Sequence, residues 1–258
     1  MNSSFLSGFD AMQISLTLFI LMLLVYFIAK MMTGLRPFQS FADENIHPIE
    51  GSLLGLLALL LAFTFSMSAS RYEARRNVMV TEANDIGTVI LRCDLYPDST
   101  AQKLKMYLKD YVESRINYFQ AGESKSKENT AIEATERIGK QIWTEVALAS
   151  KTKDNLVASN QMIPALNAML DIVTNRSAEK NATVPDSILW LMFLLCIICS
   201  FIVGFHPSKS KNRFVISIVF SLMVSAYIHL IIDLDRPRKG LINMKDTQQY
   251  IIDLRKMF

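Results

Sequence analysis

Cysteine and histidine are scarce, with three of each in 258 residues. Cys93, Cys196 and Cys199 are an odd number and give no disulfide framework. Cys196 and Cys199 form a C-x-x-C inside an apolar run, without a second pair or a neighbouring histidine, so small buried packing residues are expected there. His47, His206 and His229 stand far apart in the chain. A Gly-rich phosphate loop, H-E-x-x-H and G-x-S-x-G are all missing. The chain is therefore read as not an enzyme and as carrying no cofactor or metal. Period-2 alternation is missing as well, which argues against strands. Charged residues make up 20% and the net charge is only +3, too little to argue for a nucleic-acid partner.

What is abundant is apolar sequence, 51% of the chain. It falls into two blocks, near the N-terminus and near the C-terminus, with a polar stretch between them. A purely soluble domain and a chain made only of spans are both excluded. The first span is about 13–32, with ISLTLFILMLLVYFIA at its centre. No basic segment precedes it and no small-residue cleavage site follows, so it reads as an uncleaved anchor. The second span is about 51–70. From Ser52 to Tyr96 there is no proline, so this helix is expected to continue past residue 70 for roughly 65 Å in all. The third and fourth spans are about 187–205 and 214–232. The polar block, 71–186, is expected to be helical: 99–121, then 130–149 opened by a Thr130–Glu133 capping box after a 122–129 linker, then 155–175 with Pro164 kinking or restarting it. A tail, 234–258, ends in an amphipathic helix with Tyr250, Ile251, Leu254 and Phe258 on one side.

The second span carries the most information. Gly51, Gly55, Ala58, Ala62, Ser66 and Ala69 recur at three and four, which leaves one face nearly free of side chains. Two readings stand: packing against the first span or a neighbouring copy, and the lining of a pore around an oligomer axis. In the second, Ala62, Phe63, Phe65, Ser66 and Ala69 line or gate the pore, Thr64 and Ser68 add hydroxyls, and only one of the two phenylalanines can face the axis. Arg71, Arg75 and Arg76 follow. They either anchor the helix at the interface or form an anion-attracting ring at the pore mouth. Glu82 and Asp85 lie further on and are expected in structural ion pairs.

The fourth span ends in His229, Asp233, Asp235 and Arg236. A tight turn is expected there, with Asp233 or Asp235 pairing with Arg71, Arg75 or Arg76. Four spans put both termini and the central block on one face of the membrane. Near that face lie Arg71, Arg75, Arg76, Arg236, Arg238 and Lys239; across it lie Lys30, Arg36, Lys209, Lys211 and Arg213. Six against five does not decide the orientation. Asn175-Arg-Ser177 and Asn181-Ala-Thr183 read as chance tripeptides.

The run LLLAFTFSMSASRYEARRNVMVTEANDIGTVILR, residues 59–92, with HLIIDLDRPRKGLI, residues 229–242, resembles the bestrophin-like domain family of bacterial membrane proteins. The resemblance extends to the layout of two spans, a helical insert and two spans. It implies an all-α, four-span membrane protein with a long second helix and a cytosolic helical insert between the second and third spans. Bestrophins are pentameric anion channels, so a homo-oligomer, a pentamer by preference, passing monovalent anions in the inner membrane is expected. Phe63 and Phe65 would then stand where bestrophins place apolar neck residues, and the insert and both termini would be cytoplasmic. The alternative is a non-conducting scaffold or signalling protein whose cytosolic helices bind a partner.

Overall fold

The structure is a computed structural model that describes residues 9–33, 35, 47–122, 124–205, 211–236, 242 and 244–258. Regular structure among them is entirely helical: α1 (Ala11–Met32), α2 (His47–Arg92), α3 (Asp98–Gln120), α4 (Lys125–Ala149), α5 (Leu156–Asn181), α6 (Asp186–Phe205), α7 (Lys211–Asp235) and α8 (Lys245–Asp253), with short 3-10 turns after α2, before α5 and after α8. Arg36, Lys209, Arg238 and Lys239, used above to weigh orientation, lie outside the described residues, as do His206 and the side chain of Lys211. The chain forms two compact units, Met1–Tyr72 with Thr183–Ile242, and Glu73–Ala182 with Asn243–Phe258.

The first unit is built for lipid. Four helical stretches, Ala11–Met32, Pro48–Leu95, Lys153–Phe205 and Asn212–Asp235, contain windows long and apolar enough to cross a membrane. Helix is the form that satisfies every backbone group internally where no water is at hand. Because lipid offers helices no hydrophobic gain from meeting, close packing by small residues holds them together. The α1–α6 contact shows this. Ser200 Oγ donates to the Met22 carbonyl at 2.5 Å. One turn on, a Cβ at Gly204 would stand 2.5 Å from the Tyr26 carbonyl oxygen. Cys196 precedes Ser200 by four residues, so the three make one small-residue stripe. Cys199 Sγ lies 3.7 Å from the Leu53 carbonyl of α2. All three cysteines are free and buried.

The second unit has a conventional aliphatic core. Ile86, Val89 and Ile90 of α2 meet Leu104, Leu108, Tyr111 and Val112 of α3, Ile142 and Val146 of α4, and Met162, Leu166 and Met169 of α5. Two sequence expectations need correction here. Helix α4 starts at Lys125, not at the Thr130 capping box. Ser124 caps it by accepting from the Lys127 amide at 3.5 Å. Thr130, inside the helix, donates its hydroxyl back to the Ser126 carbonyl at 3.0 Å. A serine six residues upstream was the earlier cap available, and the polar residues between were solvated helix and not linker. In the tail, Thr247, Ile251 and Leu254 form the buried stripe while Tyr250 and Phe258 are exposed. Leu254 Cδ2 comes within 3.5 Å of where a Gly87 Cβ would be. Pro164 is accommodated within α5.

Gly204→Ala is expected to destabilise the membrane unit by ~1–3 kcal/mol through overpacking. A thermal melt of the detergent-solubilised protein should show a lowered midpoint. Gly55→Ala, where nothing in the single chain lies within 4 Å, should lower the midpoint less than Gly204→Ala does.

Candidate functional site

Helix α2 runs without interruption through residue 70, so one register governs everything it displays. At about 100° per residue, Leu57, Thr64, Ser68, Arg75, Met79, Glu82 and Ile86 fall on one stripe, and all are buried. Gly55, Ala58, Ala62 and Ser66 fall away from it and are exposed; Ala69 is half-buried. Nothing lies within 4 Å of a Cβ placed at Gly51 or Gly55. The small-residue face is thus open in the single chain. Thr64 and Ser68, expected to add hydroxyls to that face, are on the buried side. Thr64 Oγ1 donates to the Leu60 carbonyl at 2.7 Å. The two phenylalanines separate as their spacing requires. Phe65 packs on Tyr227 of α7 with ring centroids 5.5 Å apart. Phe63 is 65% exposed.

The three arginines have three different surroundings. Arg71 is half-buried, and its Nε is buried with no hydrogen-bond partner among the described residues. Arg75 is 4% exposed. Its Nε donates to the Glu179 carbonyl at 3.1 Å and its Nη2 to the Ala182 carbonyl at 2.6 Å. These carbonyls belong to the end of α5, where the last turn lacks acceptor partners of its own and its dipole favours a cation. Arg75 is therefore a helix cap and not a surface charge. Arg76, about 100° around from it, is the exposed member, 3.8 Å from Glu73. By the same spacing Glu73 lies in line with Gly55, Ala62 and Ser66, and it is exposed.

Glu82 is fully buried and shared. Its Oε1 accepts from Arg115 Nε and its Oε2 from Arg176 Nη1, both at 2.5 Å. The two guanidiniums stand over Tyr118, each 4.8 Å from the ring centre, and that of Arg176 is 3.5 Å from the centre of Phe119. The cluster ties α2 to α3 and α5. Burial alone would push the Glu82 carboxyl up, but Arg115 and then Arg176 override it and hold it below the ordinary glutamate value. Burial, reinforced by neighbouring Arg115, lowers Arg176 to about 10 against the pull of Glu82, which leaves it charged at neutral pH. Tyr111 beside them is pushed up to about 12 by burial, and its hydroxyl has no hydrogen-bond partner among the described residues. Asp85, expected in an ion pair, makes none with a described residue. Burial and then the Glu82 charge raise its carboxyl.

The sequence reading missed Arg115 and Arg176. The signal was present for one of them: Leu104, Leu108, Tyr111, Arg115 and Phe119 follow helical spacing, so an arginine occupies a core position. Asp233 and Asp235, expected to pair with Arg71, Arg75 or Arg76, clasp backbone amides at the end of α7. Asp235 accepts from the Val184 amide at 3.1 and 3.2 Å, and Asp233 from the Ile242 amide at 2.8 Å. Arg236 donates to the Phe9 carbonyl. The backbone amides of Val184, just before α6, and of Ile242 need acceptors, and these carboxylates supply them. Ser15 Oγ of α1 lies 3.5 Å from His229 Nδ1.

Comparison with known proteins adds the following. The family model of the Bestrophin-like domain matches residues 19–248. No curated protein matches the sequence. Among solved structures, a bacterial Bestrophin homolog from Klebsiella pneumoniae aligns at 15% identity with a TM-score of 0.73, covering 94% of this chain and 97% of that one. A single-substitution variant of a bacterial Bestrophin homolog from the same organism aligns at 14% identity with a TM-score of 0.76, covering 96% and 97%. At such identity the likeness is one of fold.

Glu82→Gln should destabilise the protein by ~3–5 kcal/mol, because it leaves two buried guanidiniums without their counter-charge. Denaturant unfolding of the solubilised protein measures it. The pH dependence has a definite sign. A carboxyl depressed in the folded state stabilises fully above its unfolded value and loses that contribution as pH falls through its folded value. Melting midpoints should therefore drop in acid below the ordinary glutamate range, and Glu82→Gln should flatten that drop.

Proposed function

The chain belongs to the Bestrophin-like domain family, and on that footing we propose that it assembles as a homo-oligomeric ion channel with α2 lining the pore. One observation carries this reading: an unbroken 46-residue helix whose small-residue face, Gly55, Ala62 and Ser66, is bare in the single chain. Small residues let helix backbones approach closely in lipid, and copies gathered around this face leave a narrow lumen. Ala62, Ser66 and Ala69 line it. Phe63, about 60° around from Ser66, supplies an apolar constriction of the kind that gates by dewetting. Phe65 drops out of the lumen because it packs on Tyr227.

Monovalent anions are the proposed cargo, on narrower grounds than the arginine run first offered. Arg75 is turned into the protein, so the attraction falls to Arg76, with Arg71 at the end of the membrane unit. Glu73 sits on the exposed face beside Arg76 and opposes them. Five copies around the axis, an inner-membrane setting and cytoplasmic termini complete the reading.

Purified protein should give a particle near five times 29.2 kDa after correction for detergent. In planar bilayers under a potassium chloride gradient it should conduct, with a reversal potential on the chloride side. Arg76→Glu should move that potential toward potassium, and Glu73→Gln should move it further toward chloride. A wild-type preference for potassium overturns the anion assignment and gives selectivity to Glu73. An intact oligomer without conductance overturns the channel, and favours the scaffold whose cytosolic helices bind a partner.

A further inference from the structure

Helices α1 and α6 leave a groove of about 300 Å³ between them in the membrane unit. Ile14, Leu18, Leu21, Phe193 and Ile197 make its walls apolar, and Phe9, Gln13 and Trp190 lie toward the starts of the two helices. From Phe9 to Leu21 the groove follows about 18 Å of chain at helical rise. That is close to one leaflet, half of a hydrocarbon core ~30 Å thick. Trp190 is half-exposed near the start of α6, the place where tryptophan marks the boundary between lipid and water.

The polar end of the groove is charged in a particular way. Asp10 adjoins Phe9, and Asp186 stands one helical turn before Trp190 on α6. Arg236 donates to the Phe9 carbonyl and feels the carboxylates of Asp235, Asp10 and Asp233. The end that meets the headgroup region therefore offers both a cation and carboxylates. Among the described residues that end brings together Arg236, Asp10 and Asp186. A headgroup that carries both signs is complementary.

We propose that this groove binds one acyl chain of a zwitterionic phospholipid, with its phosphate at Arg236 and its ammonium at Asp10 or Asp186. A second copy of the chain fits less well. A packed helix runs beside its neighbour at 8–10 Å over many turns, whereas this groove is confined to one leaflet's depth and ends in a charged mouth. The assignment rests on the membrane setting of the family and not on conduction, so failure of the channel reading leaves it standing.

The test uses full-length protein in liposomes containing a phosphatidylethanolamine with a diazirine midway along one acyl chain. After illumination, peptide mass spectrometry locates the label. Labelling is expected at the groove positions Thr17, Leu21 and Ile197, above the level at the outward-facing Leu16 and Leu191. Thr17→Trp, or Leu21→Trp should the first fail to assemble, fills the groove and should cut groove labelling about tenfold, the equivalent of losing two buried methylenes. Unlabelled phosphatidylethanolamine should compete. Equal labelling of groove and outward positions overturns the site, because it describes ordinary surrounding lipid. Disulfide formation between copies of Thr17→Cys overturns it in favour of a second copy. Equal competition by phosphatidylglycerol overturns the headgroup assignment.

Discussion

The helical register of α2 is the constraint on which the rest depends. A continuous helix advances about 100° per residue whatever surrounds it, so the register sets which residues of α2 share a face. The same stripe holds Leu57, Thr64 and Ser68 in the membrane unit and Arg75, Met79, Glu82 and Ile86 in the other. Gly55, Ala62, Ser66 and Glu73 lie outside that stripe and are exposed.

Polar groups on the buried stripe show how such a helix can be fixed without a large apolar moment. Arg75 closes the end of α5, and Glu82 gathers two arginines that themselves rest on aromatic rings. Pairs like these add little net stability compared with apolar side chains of the same size, yet losing one partner is costly. They therefore specify the register more than they strengthen it. The backbone clasps of Asp233 and Asp235 serve the same end in the membrane unit, holding the start of α6 and the exit of α7 in place.

Hydropathy and spacing made most of the architecture legible. The spans, the unbroken second helix and the helical insert all follow from runs of apolar residues and from an absence of proline, which are properties local to the chain. The candidate site was only partly legible, for a physical reason. The face of α2 that carries Ala62 and Ser66 could be drawn from periodicity, but periodicity does not say which face is bare. Arg71, Arg75 and Arg76 look alike in sequence and have three different surroundings. The difference comes from the end of α5, some hundred residues away, whose carbonyls reach Arg75 alone. Arg115 could have been found as a charge on an apolar stripe. Arg176 could not, because nothing near it in the chain reveals that it is buried.

The second unit is discontinuous, and this bears on how the molecule comes to be made. Its core is assembled from α2 to α5, but Ile251 and Leu254, which complete it, are translated only after α6 and α7. Domains fold as units while the ribosome delivers ~5–20 residues per second. The four earlier helices must therefore wait some seconds with the seat beside Gly87 unfilled, until both later spans have emerged and entered the bilayer. Membrane insertion thus comes before closure of the extramembrane core, and a nascent chain that stalls in its last span stays visible to chaperones and proteases.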